Sequence, residues 1–196
     1  MLSEELHHRV QNTLAVVLAL ARLTARSVKT IDEFQVAFGL RIQAMARTNA
    51  LLLRGHQQAL DVRSAIEVEL EPYRAVGQLT IACDPLNISA GVALSLSLLI
   101  HELATNAAKY GALSLPDGRL LVSCKPSQVG GVLIWREICP SLLARQEIAG
   151  GGSLLMKHLA RDLGGEARIE MLESGIEATI TFRLGDSPDR LIEGYA

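Results

Sequence analysis

No run of apolar residues in this chain approaches the ~18 needed to cross a bilayer. The longest are residues 14–21 and the serine-interrupted stretch 91–100, so no membrane-spanning segment is predicted. The N-terminus, MLSEELHHRV, carries acids and lacks an apolar centre, which excludes a secretory signal. Excess charge is missing too. The formal net charge is -2 over 196 residues, without the basic surplus of a nucleic-acid binder. Cysteine is scarce: Cys83, Cys124 and Cys139 are far apart and form no CxxC pair. That spacing predicts neither a zinc site nor a disulfide framework. It suggests small buried thiols in a reducing cytoplasm. Disorder is excluded by composition, with 49% hydrophobic and 20% charged residues.

What is present divides near Gly55. Before it, residues 3–28 read as one helix. Ser3 is placed to cap it, Glu4 and Glu5 lie in the first turn, and Leu6, Val10, Leu14, Val17 and Ala21 form an apolar stripe. Thr30 to Glu33 reads as a capping box opening a second helix, along which Phe34, Phe38, Ile42, Met45, Asn49 and Leu52 recur at heptad-like spacing. A hairpin of two such helices cannot bury both stripes alone. Pairing with a second copy into a four-helix bundle is the favoured remedy; folding back onto the C-terminal half is the alternative. After Gly55, helices are predicted at 61–73, 90–110 and from the glycine run 150–152 to about 163. Strands are predicted at 79–83, 119–125, 132–137, 167–172 and 176–184. The order implies an α+β chain: a helical hairpin over 1–55, an α/β sandwich with helices on one face of a mixed sheet over 56–185, and a tail over 186–196.

Glu102, Asn106 and Lys109 are spaced by four and three, so they share a face of the helix at 90–110. Leu99, Leu103 and Ala107 lie on another. Carboxylate and amide oxygens suit Mg²⁺, and an ammonium suits phosphate; an ordinary solvated face would have the same spacing. The full string from His101 to Ser114, HELATNAAKYGALS, is more specific. It resembles the N box of histidine kinases, in particular the HELATNAxKYGALS of the HWE subfamily. The resemblance implies that Asn106 coordinates Mg²⁺ on ATP, that Glu102 assists the metal site or phosphoryl transfer, and that Lys109 and Tyr110 contact the nucleotide. Trp135-Arg136-Glu137 matches the Trp and Glu of the subfamily's name, and implies that Glu137 accepts a hydrogen bond from the adenine amino group. Gly150, Gly152 and Ser153, followed by SLLMKHLARDLGG, resemble the segment around a GFGS glycine box, where backbone N–H groups at a helix start approach phosphate.

ELHHRVQN, from Glu5 to Asn12, is similar to the phosphoacceptor box ELxHRVxN. The alignment makes His8 the acceptor and gives Asn12, one turn on, a position from which to orient water in dephosphorylation. From about residue 2 to 184 the resemblance implies a dimerisation and histidine-phosphotransfer hairpin, then a histidine-kinase-like ATP-binding domain. It implies ATP and Mg²⁺ as cofactors and a response-regulator receiver domain as partner. The chain begins close to the acceptor box, and two expectations fit that: an excised kinase core, or a stand-alone protein that takes its input from a separate sensory partner. One departure stands out. Where the family reads WxExGGP, this chain reads Trp135-Arg-Glu-Ile-Cys-Pro140. The missing glycines favour the alternative function, a histidine phosphotransferase or phosphatase with a degenerate ATP domain; the complete N box favours the kinase.

Overall fold

The computed structural model describes residues 2–54, 59–76, 78–140 and 152–185. Two long helices open it, α1 (Leu2–Ser27) and α2 (Ile31–Arg54). The predicted capping box holds the turn between them: Lys29 and Thr30 donate backbone N–H groups to Glu33 Oε2, and Glu33 N–H returns to Thr30 Oγ1 at 3.2 Å. Gly55, near which the sequence divides, lies outside the described residues.

The C-terminal part follows as β1 (Ala59–Asp61), α3 (Val62–Leu70), β2 (Leu79–Cys83), β3 (Asn87–Ser89), α4 (Ala90–Tyr110), β4 (Arg119–Ser127), β5 (Gly130–Ile138), α5 (Gly152–Asp162), β6 (Ala167–Leu172) and β7 (Gly175–Phe182). The helix predicted to run on to residue 73 stops earlier. Pro72 offers no N–H to an α-helix, and the chain tightens into a 3₁₀ turn over Glu71–Val76. β1 and β3 were not predicted. They are three residues each, too short for periodicity to register, yet they pair antiparallel through the buried Leu60 and Ile88.

The main sheet runs β2-β4-β5-β7-β6, parallel between β2 and β4 and antiparallel elsewhere. Strict alternation turns Leu120, Val122, Cys124, Leu133, Trp135, Ala178, Ile180 and Phe182 into the core. Against them lies α4, the most buried helix. Among the described residues it alone is long and apolar enough to cross a membrane, and its place at the centre of the core accounts for that composition.

Two expectations change. The hairpin does fold back: α2 packs along α4 and α3, and α1 touches α5. Leu20, Leu23, Ala44, Met45 and Leu52 join the same core as Ile66, Leu99, Trp135 and Phe182. Burying each large side chain contributes roughly 1.5–3 kcal/mol, so docking is an extensive apolar contact. The second change concerns sulfur. Cys83 and Cys124 are opposed across β2 and β4, 4.4 Å apart at Cα, and form a disulfide. The absence of a CxxC motif was no guide, because a parallel strand pairing joins residues remote in sequence. Only Cys139 remains a free, buried thiol among the described cysteines, so isolated thiols no longer argue for a reducing compartment.

Candidate nucleotide site

The residues singled out by spacing all sit on α4 or beside its C-terminal end. Ser89 caps the helix start by accepting from Val92 N–H at 3.3 Å. At the other end, Asn106 is half-buried and Lys109 and Tyr110 are exposed. Asn106 and Lys109 thus present an amide oxygen and an ammonium on an accessible edge.

Glu102, one turn earlier, is placed differently. It is buried and faces α2, where Arg41 grips it with both arms: Nε to Oε1 at 2.8 Å and Nη2 to Oε2 at 2.6 Å. Arg41 Nη1 also donates to Thr24 Oγ1 at 3.0 Å, and Thr24 Oγ1 donates to the carbonyl of Leu20 at 2.6 Å. A second pair, farther along α2, joins it to α3. Arg47 Nη2 reaches Glu69 Oε2 at 2.5 Å, and His101 Nδ1 lies 3.5 Å from the same oxygen. His101 therefore belongs to the packing between α4, α3 and α2. Thr48 Oγ1 donates to Ser97 Oγ at 2.7 Å and completes a polar seam inside an otherwise apolar interface. Neither Arg41 nor Glu69 was singled out from sequence. The signal existed for Arg41, which falls between Phe38 and Met45 on the stripe that α2 buries, where an unpaired charge is not tolerated.

Glu137 ends β5 against the turn that follows α4. It is 4% exposed, and each carboxylate oxygen is engaged by the protein. Ala112 N–H donates to Oε2 at 2.8 Å and Trp135 Nε1–H to Oε1 at 2.9 Å. Burial pushes its carboxyl above the ordinary value, outweighing the two hydrogen bonds that pull it down. Gly111 is required here, because a Cβ would stand 1.9 Å from Glu137 Oε2. The resemblance implies a carboxylate open to adenine; this one is closed over by the chain. Beyond it, where the family motif has glycines, Cys139 N–H donates to Ser174 O at 2.8 Å, tying the strand end to the β6–β7 turn. The thiol of Cys139 is pushed up to about 11, by burial first and by Glu137 and Asp117 second.

The remaining sequence-predicted residues are more distant or less defined. His8 and Asn12 lie on the backbone of α1, and their side chains are outside what is described. Gly150 lies outside the described residues. Gly152 opens α5, with Ser153 in its first turn. No cluster of three His, Cys, Asp or Glu able to cage a metal exists among the described residues. Mg²⁺ does not require one when substrate phosphates supply most of its ligands, so a single amide such as Asn106 fits that ion.

Comparison with known proteins agrees with this geometry. Residues 5–84 match the model of the HWE histidine kinase family. Blue-light-activated histidine kinase 1 of Erythrobacter litoralis is 28% identical over 187 residues, 92% of this chain and 52% of that protein. A blue-light-activated histidine kinase of Rhizobium johnstonii is 34% identical over 136 residues, 68% of this chain and 39% of that protein. The chain therefore spans about half or less of the curated relatives it matches. In structure it is similar to the Erythrobacter litoralis EL346 blue-light activated histidine kinase, with a TM-score of 0.62 at 15% identity, over 92% of this chain and 58% of that one. The separate histidine kinase domain of that protein gives 0.57 at 13% identity, over 89% and 94%. Hairpin, sheet and N-box helix together place the fold among histidine kinase ATPase domains, and the chain belongs to the HWE histidine kinase family.

Proposed function

We propose that this chain is a histidine kinase core that phosphorylates its own His8 from Mg-ATP and passes the phosphoryl group to an aspartate of a response-regulator receiver domain. The observation that carries the reading is the exposed Asn106–Lys109 edge of α4, set beside the Gly111 turn. Asn106 would hold Mg²⁺, and Lys109 and Tyr110 the nucleotide. The ion would supply neutralisation of phosphate charge, which is most of what phosphoryl transfer asks of a site. Gly152 and Ser153, at the start of α5, offer backbone N–H groups to phosphate. His8 would supply the imidazole nitrogen that takes up phosphate, and Asn12 would orient water for the reverse, dephosphorylating step. Glu137 would act by fixing the strand end to the turn after α4; direct adenine contact would require one of its oxygens to turn outward.

The hairpin keeps a stripe for a second copy. With one face on α4, it leaves Leu14 57%, Leu18 61% and Val36 64% exposed, beside Leu40. We read this stripe as a homodimer seam, with sensory input from a further domain or partner. The enclosed Glu137 favours a second reading, a phosphotransferase or phosphatase that needs no ATP. Incubation with Mg²⁺ and γ-labelled ATP separates the two. Acid-labile label that is lost in both His8→Ala and Asn106→Ala supports the kinase. Absence of label, with uptake of phosphate from a phosphorylated receiver domain, supports the phosphotransferase.

A further inference from the structure

The polar seam between α2 and α4 carries a consequence for the reaction. Glu102 is the one acidic side chain on the N-box face, and both its oxygens are held by Arg41 of the hairpin. Arg41 in turn touches Thr24, near the turn end of the hairpin. At about 1.5 Å per residue, His8 lies about 24 Å back along α1 from Thr24. The phosphoacceptor and the N-box carboxylate therefore sit at different levels of the docked hairpin. Glu102 is turned toward the hairpin, while Asn106 and Lys109, one and two turns on, are accessible.

We propose that Arg41 is a positioning residue that sequesters Glu102: the docked hairpin is the resting arrangement, and Glu102 becomes available to the metal site or the phosphoryl group only when the α2–α4 seam parts. This rests on the kinase reading above. The pair suits the role on physical grounds. Breaking a buried bidentate pair by removing one partner leaves a desolvated charge that favours exposure, whereas replacing both partners with apolar groups restores a dry contact. Removing Arg41 alone therefore favours an open seam, and removing both partners favours a closed one. Apolar packing alone would not produce that behaviour.

The full chain tests this with two independent readouts, amide hydrogen exchange and phosphohistidine formation. In Arg41→Met, exchange is expected to rise severalfold in α2 and in the α4 segment facing it, with β4, β5 and β7 unchanged. Phosphohistidine on His8 is expected to form severalfold faster, with the gain in the maximal rate. In Arg41→Met/Glu102→Leu, exchange is expected to return to the wild-type pattern and phosphorylation to be lost. Thr24→Val, which leaves the bidentate pair and removes the third hydrogen bond of Arg41 together with the Thr24 bond to the Leu20 carbonyl, should shift both readouts the same way by less; it keeps the test open if Arg41→Met does not fold. Slower phosphorylation in Arg41→Met or Thr24→Val, with faster exchange spread across the sheet, would show a purely structural pair and overturn the proposal. If the wild type forms no phosphohistidine, the kinase reading fails, and the exchange pattern of the single and double variants still decides whether the seam is charge-latched.

Discussion

Glu137 shows how much a single buried carboxylate can decide. Its two hydrogen bonds, from Ala112 and from Trp135, join the end of β5 to the turn after α4. Burial nevertheless raises its carboxyl above the ordinary 4.5. For an acid raised in the folded state, the stabilisation is complete below the unfolded value and is lost as pH rises through the folded one. Glu137→Gln does not titrate, and its amide must turn a donor toward one of the two N–H groups. At acid pH the variant is therefore expected to be less stable by about 1–3 kcal/mol. The gap should narrow as pH climbs from about 4.5 toward neutrality. Urea unfolding of both proteins at several pH values measures it, and a gap independent of pH would mean that Glu137 does not titrate in this range. At this scale the sequence was half legible. The string Trp135-Arg-Glu marked the right residue, but its enclosure depends on Gly111 and Ser174, which come from other elements. Arg41 was legible as an anomaly on an apolar stripe, whereas its pairing with Glu102 was not, because sixty-one positions separate them.

Helices and long strands followed from local rules. The capping box at Thr30, the serine cap at Ser89 and the alternation in β4, β5 and β7 are written within a few residues of where they act. Where local rules failed, the reason is equally local: Pro72 shortened α3, and three-residue strands carry no period. The hairpin posed a different problem. Its periodicity revealed two apolar stripes and could not say what covers each. The structure assigns one to α4 and leaves Leu14 and Leu18 on α1, and Val36 and Leu40 on α2, facing outward. Folding back and dimerisation are thus compatible. Leu18→Glu places a charge in the middle of the outward stripe. The variant is expected to be monomeric by light scattering at concentrations where the wild type is a dimer, with an unchanged melting temperature for the monomer fold. A wild type that is monomeric throughout would remove the dimer seam.

Across the whole molecule, the cysteines carry the main correction. Residues 83 and 124 are far apart in sequence and adjacent in space only because β2 and β4 pair in parallel. Such a pairing is set by topology, which no spacing rule reports. Closing a loop with sequence separation 41 stabilises the fold by up to about 4 kcal/mol in the chain-entropy picture. Reduction, or Cys83→Ala/Cys124→Ala, is therefore expected to lower the unfolding free energy by an amount of that order, read as a lower urea midpoint with a somewhat steeper slope. Cys139, buried with its thiol near 11, should resist alkylation in the folded protein at pH 8 whether or not the disulfide is reduced.

The geometry of α1 has a mechanical reading as well. From α1, the cavity beside α5 is lined by Val16, Ala19, Leu20 and Leu23, and residue 8 lies about two turns before the first of these. A rod held near one end converts a small rotation at its support into a large sweep at its tip. Tilting α1 by about 10° about Val16 would carry residue 8 through about 2 Å, given a rise of about 1.5 Å per residue. The seating of the hairpin thus sets where residue 8 lies, and a small change of tilt is enlarged towards the start of α1.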